Sequence, residues 1–410
     1  MGRAPSGGHR AVAEPGRGPV RGHRAVRCPD KQGAGRDGLV ASAGAPGISR
    51  LAGILPLTAA LLRSRLAAGR FLGAQVFAAQ GDKVIADLGV GSARAGVPMT
   101  SATLNHWFCC TKPLVAIAIA QLVEKGAAHL DDPAGELIPS FGQGGKEPIT
   151  IRHLLTHTAG LRPVTRSRPF LSGSQEIVDA VCAAPIQDSW KPGQRAAYVP
   201  FASWYVLGQI VERLSGESLS GYVRERIFEP LGLDQCWLGI PAGELARNDF
   251  TLGIPHAVKP GERPMPIRYL ASPAALQPAN PASGAIGPVN GLGMIFQSLL
   301  RPGVTAPLLS AATTRQFVSA HRVGLLDETY NLRWDWGLGF AVDITQLCAA
   351  VTEGFGHPGG STLVFADRAT DRVVALAVNG LTAWNGAPEV GTESVVTRIA
   401  QEIYRDLDET

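Results

Sequence analysis

The chain has 410 residues, 45% apolar and 18% charged, which is ample material for a buried core and suits one large domain or two intimate lobes. It has no uncharged apolar run of about 18 residues, so no transmembrane helix is expected. The net charge of +4 belongs to one end: residues 1–50 hold nine Lys and Arg against three Asp and Glu, and subtracting these from the totals of 38 and 34 leaves 29 basic and 31 acidic residues. A near-neutral body excludes nucleic-acid binding as the work of the folded part.

Residues 1–47 are rich in Gly, Arg, Ala and Pro and lack apolar periodicity. They read as a disordered basic tail, with a solvated arm for a partner or text ahead of the natural start as alternatives. The tail has no apolar h-region, so it is not read as a secretory signal. Six scattered cysteines (Cys28, Cys109, Cys110, Cys182, Cys236, Cys348) lack metal-ligand spacing and suggest reduced thiols and a cytoplasmic location. Strain disfavours a disulfide between the neighbours Cys109 and Cys110.

Residues 50–68 carry leucines near helical spacing, and Pro56 suits a first turn, so the regular helix is predicted to start there. Two strand-like runs, 71–79 and 83–89, join at Gln80-Gly81-Asp82 as a hairpin. Residues 91–104 read as loop. A helix is predicted from Cys109 to Lys125, closed by Gly126. Short helices follow Asp131-Asp132-Pro133 and run from Thr150, a candidate N-cap, to His157. Residues 203–215 and 222–228 are amphipathic helices. The stretch 241–283 holds eight prolines and reads as an irregular excursion near a site entrance. Helices return at 289–300 and 311–319, strands at 336–344, 361–366 and 373–378, and a helix at 392–407. The order predicts an α+β fold: an antiparallel sheet flanked by helices, from residues 48–108 and 325–410, with an inserted, mostly helical lobe at 109–324.

The sharpest chemical signal is Cys109-Cys110-Thr111-Lys112. Residues i and i+3 share a helix face, so the Cys109 thiol and the Lys112 amine point the same way. A cation beside a thiol at a helix N-terminus favours the nucleophilic thiolate. By itself Cys109 could be a small buried hydrophobe, and Lys112 a surface lysine. His153 and His157 have i, i+4 spacing but no intervening glutamate, and no metal is expected there. Gly89-Val90-Gly91 lacks the rest of a dinucleotide loop, so no cofactor is expected.

These residues form part of a longer series. Asp131-Asp132-Pro133, Ile151-Arg152-His153-Leu154-Leu155-Thr156-His157-Thr158-Ala159-Gly160-Leu161 and Phe228-Glu229-Pro230-Leu231-Gly232-Leu233 follow. Trp336-Gly337-Leu338-Gly339-Phe340 and Gly356-His357-Pro358-Gly359-Gly360 complete it. In this order the series resembles the serine β-lactamase and penicillin-binding superfamily, in its class C-like esterase and transacylase branch. The resemblance implies a β-lactamase/transpeptidase-like fold and an acyl-enzyme formed at Ser-x-x-Lys. Cys109 stands at the serine position and Lys112 at the lysine. Tyr198-Val199-Pro200 matches Tyr-x-Asn with proline for asparagine, and His357-Pro358-Gly359 matches the third motif. The resemblance also implies oxyanion donors at the N–H groups of Cys109 and Gly360, with Gly359 beside them.

The departures set the expected substrate class. Pro200 cannot make the amide contact that holds a β-lactam side chain, and His357-Pro358 lacks the Lys-Thr contacts to its carboxylate, so β-lactam hydrolysis is disfavoured. A cysteine gives a thioester, which suits transfer to an amine over hydrolysis. The expected function is therefore an ATP-independent acyltransferase of secondary metabolism, with capuramycin-type nucleoside antibiotic transacylases as the sharpest comparison. An esterase or thioesterase using the same residues, and a non-catalytic binding protein, are the alternatives. Catalysis is assigned to Cys109, Lys112, Tyr198 and His357, with Tyr198 relaying protons if cations hold its phenol pKa down. Trp107 and Trp336 are expected to line the pocket. Expected partners are a small-molecule acyl donor and an amine or alcohol acceptor, with no nucleic acid or membrane, for a monomer or weak oligomer.

Overall fold

A computed structural model describes residues 45–163, 174–259, 262–303, 307–381 and 394–409. The tail and the segments between these ranges lie outside the described residues. At the centre is a six-stranded antiparallel sheet in the order Gly354–Pro358, Thr362–Asp367, Arg372–Val378, Gly73–Gln80, Lys83–Arg94, Val97–Pro98. The expected antiparallel sheet, flanked by helices, is therefore present. Chain ends meet in the middle of it, where Val76 pairs with Leu88 on one side and Leu376 on the other.

Strand side chains alternate between faces. Val76 and Ala78 join one core with the helices Ile48–Ala52, Pro56–Ala67 and Val395–Asp408, whereas Phe77 and Ala79 join the other. Pro56 opens its helix, and the free N–H groups of Leu57 and Thr58 donate to the Asp406 carboxylate at 2.9 and 2.8 Å. This side chain, 349 positions away, thus caps the helix and ties the two ends of the chain together.

The opposite face carries the Cys109 region. Helix Lys112–Glu124 is buried from Lys112 through Leu122. A helix apolar all round belongs in an interior, and this one is the axis of the helical lobe. Helix Val289–Leu300 falls within 109–324 yet lies on the sheet: a methyl group at Gly293 would collide with the Phe77 ring. A small sheet of Asn105–His106, Ala285–Gly287 and Trp237–Leu238 anchors the chain just before Cys109. No helix among the described residues is long and apolar enough to cross a membrane.

Four local expectations change. The helix begins at Lys112, and Phe108–Thr111 forms a tighter 3₁₀ turn ahead of it. The hairpin's second strand runs on to Arg94 and pairs with Val97–Pro98, in what read as loop. Residues 336–344 form no strand. Instead Gly337 N–H donates to the Phe340 carbonyl at 2.8 Å and Gly339 takes φ +89°, folding the Gly-Leu-Gly segment into a reversal. Finally, Gly354–Pro358 is an edge strand despite two glycines and a proline, because Thr362–Asp367 supplies its ladder.

Candidate active site

Cys109 lies on the turn between strand Asn105–His106 and helix Lys112–Glu124. The preceding Phe108 has φ +47°, a strained conformation for a bulky residue. Tertiary hydrogen bonds hold this turn. Cys110 Sγ donates to the His357 carbonyl at 3.1 Å, Thr362 Oγ1 donates to the His106 carbonyl at 3.1 Å, and Ala285 N–H donates to Thr111 Oγ1 at 3.0 Å. A 3₁₀ turn eclipses i and i+3, so Cys109 and Lys112 share a side more closely than on an α-helix.

Lys112 is fully buried, and its Nζ donates to the Ala282 carbonyl at 2.8 Å. The same Nζ lies 5.4 Å from the centre of the Tyr198 ring. Burial lowers its pKa from the ordinary lysine value, while the sulfurs of Cys109 and Cys110 pull it back up. A lowered pKa makes the amine readier to exchange a proton with a neighbouring thiol. Burial raises the Cys110 thiol well above its usual range, so this neighbour stays protonated and structural.

Tyr198 is fixed through its main chain. Its N–H donates to Asp327 Oδ1 at 3.1 Å, and its carbonyl accepts from Thr329 Oγ1 at 2.9 Å. On either side, Ala197 N–H donates to the His157 carbonyl and Val199 N–H to His157 Nδ1. Any proton relay through Tyr198 starts from the protonated phenol, not from the lowered one expected. Burial, then the nearby Cys109 sulfur, push the phenol pKa up, not down. Tyr198 is therefore a protonated donor at neutral pH, and its buried hydroxyl turns toward the Cys109 sulfur.

His357 is buried on the edge strand, with Nδ1 2.7 Å from the Pro358 carbonyl. A carbonyl only accepts, so Nδ1 carries the proton and Nε2 keeps a lone pair. Burial, then the Lys112 charge, hold its pKa well below the ordinary histidine value. The ring is thus a neutral acceptor at Nε2, which has no partner.

Trp107 and Trp336 are both fully buried, as are Lys112, Tyr198 and His357. Trp107 turns into the core beneath the Cys109 turn, donates to the Gly287 carbonyl at 3.0 Å and meets the Phe228 ring edge-on. Its apolar bulk is better matched by that core than by a pocket wall. Trp336 supports the site from behind, edge-on to His357 at 5.4 Å and to His157 at 5.0 Å.

A side chain at Gly359 would collide with Cys110 Sγ and the Trp107 carbonyl, so its backbone packs against the Cys109 turn. Gly360 takes φ +80° with open space where a side chain would stand. Among the described residues, no three of His, Cys, Asp and Glu gather as metal ligands.

Sequence reasoning missed the device behind the tyrosine. Arg322 and Asp327 form a fully buried ion pair at 3.0 Å, and Asp327 Oδ1 also accepts from the N–H groups of Thr329 and Tyr330. Burial lowers the Arg322 pKa to about 10 despite its partner. An Asp two and three residues ahead of the amides it holds is a local turn pattern, the one signal that could have found it. His157, whose segment the resemblance makes structural, braces both neighbours of Tyr198.

Comparison with known proteins follows the same geometry. Residues 58–389 match the Beta-lactamase family. Esterase EstB of Burkholderia gladioli is 28% identical over 339 residues, covering 73% of this chain and 82% of the esterase. Acyltransferase calJ of Penicillium decumbens is 33% identical over 165 residues, 34% of this chain and 38% of its own. The solved structure of EstCE1, a hydrolase with promiscuous acyltransferase activity, superposes with a TM-score of 0.70 at 21% identity, covering 86% of this chain and 98% of that one. With the match spanning most of its length, this chain belongs to the Beta-lactamase family.

Proposed function

We propose that the protein is an acyltransferase working through a thioester on Cys109. One observation carries this: a thiol stands on the turn ahead of a buried amine, and that amine lies 5.4 Å from the ring of a buried, protonated phenol. Lys112 takes the Cys109 proton and the sulfur adds to an ester carbonyl. The oxyanion is held by the N–H groups of Cys109 and Gly360. Collapse breaks the C–O bond; the leaving oxygen takes the Tyr198 proton, and Lys112 replaces it. An amine or alcohol then adds to the thioester, gives its proton back along Tyr198 to Lys112, and the sulfur leaves. No other reactant is consumed, so the transfer needs no ATP. The neutral His357 Nε2 accepts a hydrogen bond from the acceptor or from Tyr198.

Pro200 and His357-Pro358 stand where β-lactam contacts are expected, which disfavours that substrate class. The similarity to an acyltransferase and to a hydrolase with promiscuous acyltransferase activity supports transfer. It also suits a place in secondary metabolism, including amide formation of the capuramycin type. Water as acceptor is the second reading, favoured by the likeness to Esterase EstB. Intact-protein mass spectrometry with a panel of activated esters tests both. An acyl adduct on Cys109 is expected, and Cys109→Ala should lower turnover by about a thousandfold or more. Full activity without Cys109 would sink the catalytic reading. Product partition with added amines separates transfer from hydrolysis.

A further inference from the structure

Tyr330 stands beside Tyr198 with ring centres 5.2 Å apart. The pairing is built. Asp327 Oδ1 accepts from the N–H of Tyr198 at 3.1 Å and from that of Tyr330 at 3.3 Å, so one oxygen places both residues. Thr329, between Asp327's turn and Tyr330, donates back to the Tyr198 carbonyl. Trp334 meets the other side of the Tyr330 ring edge-on at 5.6 Å.

Both hydroxyls are buried; that of Tyr198 turns toward the Cys109 sulfur, and that of Tyr330 has no partner. A buried hydroxyl without a hydrogen bond is costly, and a fold that invests an ion pair in aiming one has a use for it. Burial holds Tyr330 well above the usual phenol range, and the Cys109 sulfur adds to the push, as it does for Tyr198. Both phenols are therefore protonated donors, and Tyr330 packs against the buried cluster that holds Cys109 and Tyr198.

The geometry points to Tyr330 as a second catalytic phenol, whose hydroxyl donates a hydrogen bond to the heteroatom that leaves Cys109's acyl donor and, in the reverse sense, holds the heteroatom of the incoming acceptor. This rests on the Cys109 acyl-enzyme reading. Tyr198 carries the transferred proton, and Tyr330 lowers the charge on the same oxygen as the C–O bond breaks. No additional proton or electron is required. Two donors would also orient an acceptor so that its lone pair faces the thioester.

Leaving-group basicity tests the inference. Acylation of the full chain is timed by intact-protein mass spectrometry with a methyl ester and a p-nitrophenyl ester of the same acid. Nitrophenolate departs without help, whereas methoxide needs it. Tyr330→Phe should slow acylation by the methyl ester roughly 10–100-fold. The nitrophenyl ester should change by less than about threefold. Circular dichroism and melting should match the unsubstituted protein, since the deleted hydroxyl has no partner to strand. Equal slowing of both esters, or of neither, overturns the inference while leaving the acyl-enzyme intact. If the unsubstituted protein forms no adduct with either ester, the parent reading falls and takes this one with it.

Discussion

Two buried carboxylates, Asp406 and Asp327, lie in opposite parts of the molecule and do similar work to different ends. Asp406 accepts from Leu57 N–H, Thr58 N–H and the Thr58 hydroxyl, all between 2.7 and 2.9 Å. These contacts cap a helix and satisfy the Thr58 hydroxyl. Asp327 is bound as densely, to Arg322 and to three backbone N–H groups. Yet the side chains it places, Tyr198 and Tyr330, finish in buried hydroxyls, one turned toward the Cys109 sulfur and the other without a partner. A carboxylate that closes a local hydrogen-bond account serves stability. One that spends its bonds aiming an unsatisfied group serves a ligand still to arrive.

Substitutions can break that contrast. Asp327→Asn leaves Arg322 charged and buried without its counter-ion, so it should cost about 3–5 kcal/mol of stability. It should also slow Cys109 acylation at temperatures where the variant stays folded. Asp406→Asn should cost about 1–3 kcal/mol, read in urea, and leave the acylation rate of the folded protein unchanged. Equal kinetic effects of the two would erase the distinction.

Lys112 sharpens it from the other direction. The unfolded chain holds a proton that the buried amine releases early, so stability rises with pH between its lowered value and 10.5. Lys112→Met should therefore abolish turnover while adding about 1–2 kcal/mol of stability at neutral pH, and the gain should fade toward pH 10. A variant that loses both stability and activity would show the amine to be structural. The smallest effect is expected from Cys109→Ser, which should still acylate but shift the products toward hydrolysis. An unchanged amine-to-water partition would count against a role for the thioester.

The elements most legible in sequence were those fixed by local rules. Pro56 opened its helix, Gln80-Gly81-Asp82 turned the hairpin, and helix 289–300 followed its apolar stripe. Less legible were features set by contacts far along the chain. Trp107 stands two residues from Cys109, yet its direction comes from Phe228 and Gly287. Tyr330 reaches the site through an aspartate that also holds residue 198, over a hundred positions away, and no spacing rule spans that distance. The Gly354–Pro358 strand contradicts β-propensity and exists because its neighbour supplies the ladder. The sign of the Tyr198 shift was hidden for a related reason: sequence showed cations nearby, while the depth of burial that outweighs them is a property of the assembled fold.

The strained turn at Phe108 also sorts two adjacent thiols. Cys110 is wholly enclosed and spends its hydrogen on the His357 carbonyl, whereas Cys109 retains a 7% opening. For an electrophilic probe, the dipeptide thus carries its own internal control: alkylation marks the first sulfur, and label on the second reports that the fold has come apart.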